Sequence, residues 1–339
     1  MSGANTRAYI KMKILFNLNQ FNQQRQKSKP KWIFPVELSM YATYLHRQGN
    51  HVVWDGEDDG SFDRVITSKS QIDVPFLDMP CPDRILTDAM NPKWWANNGN
   101  FKHHPGTYTL AASGCSWGRC AFCVEKGQPY QKRSVSSMIQ ELGDLWMSGM
   151  NEVFDDSATF PDGEWLKEFC EEKIESGIKD LHFSCNMRID SDVDFDLMKR
   201  AGFRMVLFGI ESANQKTLDK LQKGINYDEI IPTIKQAARA GLEPHITAMA
   251  GCPGESDKET DKTIALVHYL LRKGYAKTAQ CSVYTVEGEE PKKEAASKVG
   301  TIYNVAWHPE FWFNKLRDLR SWDDVRYLYK QIKVGLREG

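Results

Sequence analysis

Short apolar runs alternate with longer amphipathic stretches from Thr107 onwards, and a glycine follows almost every amphipathic stretch. The apolar runs predict six strands, and they lie at 108–112, 152–154, 181–185, 204–210, 245–250 and 279–284. Glycine commonly ends helices because it adopts the left-handed backbone conformation without steric cost. Strands that alternate with helices favour a parallel sheet, here an incomplete β/α barrel of six strands.

The same pattern gives the helices and a smaller unit ahead of the barrel. Helices are expected at 135–147, 163–177, 193–200, 214–224, 227–240 and 257–272. Before them, a strand at 12–18, a helix from Pro35 to Leu45 and strands at 51–54 and 64–67 predict a small βαβ, Rossmann-like unit. Two further helices are expected in the tail, at 309–319 and 321–336. The predicted domains are therefore 1–106, 107–287 and 288–339.

Composition is typical of an ordinary globular protein. Of the 339 residues, 41% are hydrophobic and 26% are charged, and no apolar run approaches the roughly 20 residues of a membrane span. We therefore expect no membrane association. The first residues contain no apolar signal core, and the eight cysteines show no paired framework, so a cytoplasmic location is expected.

Positive charge is concentrated at the start of the chain. No acidic residue precedes Glu37, whereas seven basic residues do: Arg7, Lys11, Lys13, Arg25, Lys27, Lys29 and Lys31. A solvated basic arm explains this pattern, and so does attraction to a phosphate-bearing partner. A nucleotide or nucleic-acid substrate is thus one hypothesis that the sequence raises.

Three cysteines are grouped in the loop after the first barrel strand, at Cys115, Cys120 and Cys123. Three thiolates can hold three irons of a four-iron cluster, which leaves the fourth iron free to bind another ligand. A structural zinc site is the alternative, with His103 or His104 as the fourth ligand. Zinc sites more often use two spaced pairs of ligands than one short triplet.

With these cysteines and the motifs that follow the later strands, the chain resembles the radical S-adenosylmethionine (radical SAM) superfamily, nearest its cobalamin-binding subgroup. The usual family spacing is Cys-x3-Cys-x2-Cys, whereas four residues separate Cys115 from Cys120 here. Phe122 matches the aromatic residue that precedes the last cysteine. The resemblance implies a partial (β/α)6 barrel, a 4Fe-4S cluster held by the three cysteines, and reductive cleavage of S-adenosylmethionine to a 5′-deoxyadenosyl radical. It also implies a reducing partner such as flavodoxin or ferredoxin.

The resemblance further assigns cofactor contacts to the ends of the later strands. A carboxylate at Asp155-Asp156-Ser157 would bind the methionine amino group, and Arg188 would hold the methionine carboxylate. Glu211, followed by Ser212, matches the ribose-binding position. Gly251 and Gly254 correspond to the turn that approaches adenine, although Thr247 and Met249 depart from the family pattern there.

Two differences from the cobalamin-binding subgroup narrow the choice of reaction. No Asp-x-His-x-x-Gly signature for cobalamin occurs, and the leading βαβ unit looks shortened, so cobalamin is not expected. No second cysteine cluster is visible. A rearrangement of the isomerase or mutase type is therefore the favoured reaction. A radical SAM C-methyltransferase and a non-catalytic protein that only carries the cluster are the alternatives.

Overall fold

The computed structural model describes residues 11–18, 34–95 and 100–285, together with Ala295 and Val299. The described chain begins with a small parallel sheet in the order β2-β1-β3, formed by β1 (Lys13–Phe16), β2 (His51–Trp54) and β3 (Arg64–Ile66). Helix α1 (Val36–Arg47) connects β1 to β2. This arrangement confirms the predicted βαβ unit.

The remaining elements alternate as the sequence predicts. The strands are β4 (Gly106–Thr109), β5 (Ala112–Ser113), β6 (Gln131–Lys132), β7 (Glu152–Asp155), β8 (His182–Met187), β9 (Phe203–Glu211), β10 (Glu243–Ala250) and β11 (Thr278–Val283). The helices are α2 (Val135–Met147), α3 (Glu164–Glu175), α4 (Phe195–Arg200), α5 (Gln215–Lys220), α6 (Tyr227–Arg239) and α7 (Asp257–Arg272). Three-residue 3-10 turns occur at Lys69–Gln71, Phe76–Asp78 and Pro92–Trp94.

Six of these strands form a curled sheet in the order β11-β10-β9-β8-β7-β4. The registered pairs are parallel, for example β9 with β10 and β10 with β11. The strands follow one another across the sheet in chain order, as right-handed β/α crossovers produce. The expected partial barrel of six strands is therefore confirmed.

The chain divides into two compact units that do not follow chain order. The first contains the residues up to Ala111 together with Gln131–Asp156, and the second contains Ala112–Tyr130 and the residues from Ser157 onwards. The cysteine loop thus belongs to the same unit as the later strands. The domain boundaries expected from the sequence stay a prediction, and the tail helices lie outside the described residues.

An aromatic cluster fills the second unit near the N-terminal ends of β8 and β9. Phe160, Phe169, Phe183 and Phe203 are at most 1% exposed, and the centroids of these four rings lie 4.9 to 6.0 Å apart. Trp165 stacks on Phe169. Such ring pairs add stabilisation beyond their buried area. Polar side chains lie instead at the opposite, C-terminal ends of these strands, where Arg188 follows β8 and Glu211 ends β9.

In the first unit, a buried carboxylate lies between two guanidinium groups. Glu141 forms ion pairs with Arg84 and with Arg133. Burial favours the neutral acid, but the two arginines hold the pKa of Glu141 below its usual value. The charges of this cluster are paired with one another, so we assign it a structural role in the interior of the unit.

Among the described residues, every helix is too short or too polar to pass through a bilayer.

Candidate cofactor site

The predicted site residues lie at or just beyond the C-terminal ends of parallel strands. Asp155 ends β7 and Glu211 ends β9, while Arg188 directly follows β8 and Gly251 directly follows β10. In β/α barrels the chemistry is found at these ends of the strands. Within the second unit, this placement brings Arg188 and Glu211 to neighbouring strands.

The loop that carries the cysteines has its own internal structure. Cys120 is 8% exposed, and Cys115, Cys123 and Phe122 are half-buried. The Cys123 N–H donates to the Cys120 carbonyl at 3.2 Å. Sγ of Cys115 lies 3.1 Å from the Thr159 hydroxyl. A hydroxyl at that distance can donate to a thiolate, and hydrogen bonds to sulfur tune iron–sulfur sites.

The turn after α5, residues Leu221–Gly224, is the surface on which the cysteine loop rests. The Trp117 indole N–H donates to the Gln222 carbonyl at 2.7 Å, and the Ala121 N–H donates to the Leu221 carbonyl at 2.8 Å. A Cβ at Gly224 would lie 2.0 Å from the Trp117 ring. Only glycine therefore permits the indole to pack against this turn.

Arg188 is almost fully engaged by residues of the second unit. Its Nη2 donates to Oδ2 of Asp190 at 2.9 Å and to the Lys223 carbonyl at 3.0 Å, and its Nε forms an ion pair with Oδ1 of Asp190 at 2.8 Å. The guanidinium also lies 4.7 Å from the centroid of the Trp117 ring. Nη1 is the nitrogen for which no described residue accepts a hydrogen bond.

Glu211 forms a buried ion pair with Lys223, whose Nζ donates to Oε1 of Glu211 at 2.9 Å. Glu211 is 7% exposed and Lys223 is 8% exposed. The second carboxylate oxygen, Oε2, accepts no hydrogen bond from any described residue. It is therefore the acceptor that remains for the ribose hydroxyls expected at this position.

Opposing effects act on the cysteine thiols beside these charges. Burial raises the pKa of Cys120, and Cys123 and Cys115 act in the same direction, whereas Lys223 and Arg188 favour the thiolate. The pKa of Cys120 is raised overall, and the two cations offset part of the effect of burial on a thiol that must be ionised to bind iron.

Ser212 and Glu255 connect the end of β9 to the loop after β10. The Ser212 hydroxyl donates to Oε1 of Glu255 at 3.1 Å, and Oε2 of Glu255 accepts from the Cys252 N–H at 3.2 Å. Gly251 and Gly254 both have positive φ angles, of 74° and 67°. The predicted adenine turn is therefore held in shape by Glu255. The Ser212 hydroxyl is already engaged within the protein.

The acidic motif after β7 is divided between the two units. In the first unit, the buried Asp155 accepts a hydrogen bond from the Ala111 N–H at 2.7 Å. In the second, the Ser157 hydroxyl accepts from the Ala112 N–H at 2.8 Å. Asp155 and Ser157 thus stabilise backbone that flanks the cysteine loop. Asp156 is the half-buried member of the motif.

Among the described residues, no three His, Cys, Asp or Glu side chains converge as the ligands of a single metal ion do. A four-iron cluster spreads its thiolates over separate irons, so its ligands need not meet at one point. None of the eight cysteines forms a disulfide. The three thiols of the loop, one of them flanked by two cations, therefore fit the donor set of such a cluster.

Sequence reasoning missed four residues of this site: Trp117, Thr159, Asp190 and Lys223. Trp117 and Lys223 had signals, because Trp117 lies inside the cysteine triplet and Lys223 precedes a glycine that ends a helical stretch. The contact of Thr159 with Cys115 depends on how separate loops meet, which has no counterpart in local sequence. Asp190 lies only two residues after Arg188, so its ion pair with Arg188 is local.

Comparisons with known proteins find similarities over part of the chain. Residues 110–267 match the family model described as "Radical SAM superfamily". The chain is 26% identical over 214 residues to a Pyrococcus horikoshii protein named "Uncharacterized methyltransferase PH0819", a match that covers 61% of this chain and 43% of that protein. It is 25% identical over 170 residues to the uncharacterized protein MJ0486 of Methanocaldococcus jannaschii, covering 45% and 52% respectively. The chain thus spans about half the length of these relatives.

Two solved structures are also similar in fold. The radical S-adenosylmethionine methyltransferase TsrM from Kitasatospora setae gives a TM-score of 0.45 at 20% identity, over 52% of this chain and 36% of that chain. The cobalamin-dependent S-adenosylmethionine radical enzyme OxsB gives a TM-score of 0.49 at 14% identity, over 75% and 38%.

Proposed function

We propose that this chain is an enzyme that reductively cleaves S-adenosylmethionine, because residues 110–267 match the model of the radical SAM superfamily. Cys115, Cys120 and Cys123 would hold the 4Fe-4S cluster. When bound, the cluster supplies the electron that breaks the sulfonium and a coordination position for the cofactor's methionine group. The resulting 5′-deoxyadenosyl radical removes a hydrogen atom from substrate.

The observation that carries this proposal is the convergence of three groups on one turn. The cysteine loop rests on Leu221–Gly224 through Trp117, and the same turn binds Arg188 through its carbonyl and Glu211 through Lys223. An anion-binding group and a hydroxyl-binding group thereby lie beside the cluster ligands. That is the combination needed to orient a charged nucleoside.

Within this proposal the chain's own residues bind and orient the cofactor. Nη1 of Arg188, from which no described residue accepts a hydrogen bond, would bind the methionine carboxylate. The acidic motif, at Asp156, would bind the ammonium group. Glu211 offers one oxygen to the ribose hydroxyls. The Gly251–Gly254 turn provides close approach of backbone to the adenine ring.

For the reaction that follows, we propose hydrogen abstraction and a change within the substrate itself, as in an isomerase or mutase. The chain carries neither the Asp-x-His-x-x-Gly signature of cobalamin binding nor a second cysteine cluster. Methyl transfer is the second candidate, and a specific observation favours it. The relative that matches 61% of this chain is named a methyltransferase.

The setting of the reaction is also part of the proposal. The free cysteines suit a reducing compartment such as the cytoplasm. A flavodoxin or ferredoxin would supply the electron there. The substrate stays a proposal, with a nucleotide or nucleic acid suggested by the basic residues before Glu37.

The first experiment measures cluster binding and cofactor cleavage together. Anaerobically reconstituted protein should contain about four irons and four sulfides per chain, and with dithionite it should release 5′-deoxyadenosine and methionine. The triple variant Cys115→Ala, Cys120→Ala, Cys123→Ala should lose both properties. Cys170→Ala is the matched control, since that thiol is buried elsewhere. A triple variant that retains its iron would refute the proposal.

The reaction type is settled by the mass and label of the product. In an isomerisation the product has the mass of the substrate, and loss of a fragment would indicate cleavage instead. In both cases deuterium from the substrate appears in 5′-deoxyadenosine or S-adenosylmethionine. A product heavier by one methyl group, labelled from the methyl of S-adenosylmethionine, would establish the methyltransferase and reject the isomerase.

A further inference from the structure

The ion pair between Lys223 and Glu211 occupies space that is left by the missing side chain of Gly209. A Cβ at Gly209 would lie 2.5 Å from Oε1 of Glu211 and 2.8 Å from Nζ of Lys223. Glu211 has a φ angle of +55°, in the left-handed region that non-glycine residues rarely adopt. The backbone of Glu211 is therefore held in an unfavourable conformation by the residues around it.

Lys223 contacts two predicted cofactor-binding residues, Glu211 through its side chain and Arg188 through its backbone. Its ammonium donates to Glu211 at 2.9 Å, and its carbonyl accepts from Arg188 at 3.0 Å. Lys223 is buried, and the family resemblance assigns it no direct contact with the cofactor. A residue in this position acts on a ligand through the groups that it orients.

We propose that Lys223 is a positioning residue of the cofactor site. Its ammonium occupies Oε1 of Glu211 and fixes the carboxylate, so that Oε2 is the oxygen presented to the ribose hydroxyls. The effect of the Lys223 side chain on cofactor affinity passes through Glu211. This inference rests on the proposed function, because it requires that S-adenosylmethionine binds at Glu211.

A purely structural role makes a different prediction. If the ammonium only stabilised the Leu221–Gly224 turn, its removal would disturb the cysteine loop and Arg188 whatever residue stands at position 211. If it acts through Glu211, its removal should matter only while a carboxylate is present. A double-mutant cycle separates these two cases.

The experiment measures the Kd of S-adenosylmethionine by anaerobic calorimetry on cluster-reconstituted protein without reductant. Lys223→Met should raise Kd about tenfold, which corresponds to about 1.4 kcal/mol, at unchanged iron content. In a Glu211→Gln background, Lys223→Met should change Kd by less than about twofold. Lys216→Met, an exposed lysine of α5, is the matched control and should leave Kd unchanged.

The outcomes distinguish the inference from the proposed function. An unchanged Kd in Lys223→Met, or an equal loss of affinity in the Glu211→Gln background, would overturn the positioning role while leaving the proposed function intact. Wild-type protein that holds four irons but binds no S-adenosylmethionine would overturn both. Should Lys223→Met alone fail to fold because Glu211 is left buried and unpaired, the double variant compared with Glu211→Gln still decides the question.

Discussion

At the scale of single residues, Arg188 shows how completely a side chain can be engaged before a ligand binds. Asp190 accepts a hydrogen bond from Nη2 and forms an ion pair with Nε, and the Lys223 carbonyl also accepts from Nη2. The Trp117 ring covers its face. The guanidinium is thereby held rigid, which lowers the entropic cost of binding an anion through Nη1.

Removal of Arg188 should therefore weaken cofactor binding without loss of the cluster. Arg188→Ala removes a charge-assisted hydrogen bond of roughly 1.5–3 kcal/mol, so the Kd of S-adenosylmethionine should rise by about one to two orders of magnitude. Arg239→Ala, at an exposed arginine of α6, is the control. Equal affinity in the two variants would remove Arg188 from the site.

A second residue-scale prediction concerns stability rather than binding. Burial lowers the pKa of Lys173 from 10.5 to about 8. Between these values the unfolded chain binds a proton that the folded chain does not, so the free energy of unfolding should rise as pH increases from 8 to 10.5. The cost below pH 8 is on the order of 3 kcal/mol at most.

Urea unfolding at pH 7 and pH 9.5 checks this sign. Lys173→Met should be more stable than wild type at pH 7, and the difference should shrink at pH 9.5. Lys167→Met, at an exposed lysine of the same helix, should show no such change with pH. A constant difference between Lys173→Met and wild type would contradict the lowered pKa.

The sequence predicted which polar residues belong to the site but not which residues of the protein they contact. Arg188 and Glu211 were assigned through the family resemblance, which relates cofactor contacts to the ends of predicted strands. The partners of Arg188 include a carbonyl 35 positions along the chain. Local sequence does not encode such contacts, since they depend on how two loops meet in the folded protein.

At the scale of elements, helix ends were predictable where capping chemistry is local. Helices α2 and α7 have the predicted bounds, and their N-caps are Ser134 and Ser256, whose side chains accept hydrogen bonds from the first turn. Helix α5 ends at Lys220, earlier than the expected Gly224. Gln222 has a φ angle of +53°, so the last residues form the turn that supports the cysteine loop instead of continuing the helix.

The contact between Trp117 and Gly224 should be essential for holding the loop. In Gly224→Ala the new methyl group would overlap the indole, and we expect the reconstituted protein to retain less than half of its iron. Gly127→Ala is the matched control, because Gly127 also has a positive φ but nothing lies within 4 Å of its Cβ position. An equal loss of iron in the two variants would show that backbone strain, and not the packing of the indole, is responsible, and full iron content in Gly224→Ala would show that the contact is not essential.

At the scale of the whole molecule, alternation of strands and helices was sufficient to predict the parallel half-barrel. The compact units were not predictable in this way, because the cysteine loop joins the later strands across a gap in sequence. Net charge also hides an asymmetry: the chain totals −1, yet every charged residue before Glu37 is basic.

That asymmetry predicts salt-dependent attraction to nucleic acid. Titration of the full chain with a fluorescent RNA or DNA oligonucleotide should show binding at low salt, and the affinity should fall steeply as salt rises. Replacement of Arg25, Lys27, Lys29 and Lys31 by glutamine should reduce both the affinity and its dependence on salt. Absence of binding at low salt would favour a small metabolite as substrate.

The contact between Trp117 and the Gln222 carbonyl spans 105 positions of the chain, and this separation constrains the order of maturation. To close a loop of that length in a disordered chain costs about 4 kcal/mol of entropy, and strands that have already assembled between the two ends remove most of this cost. We therefore expect β8, β9 and α5 to assemble before the cysteine loop packs against the turn at Gln222. Iron delivery would then be a late event, directed at a nearly finished barrel and not at a nascent peptide.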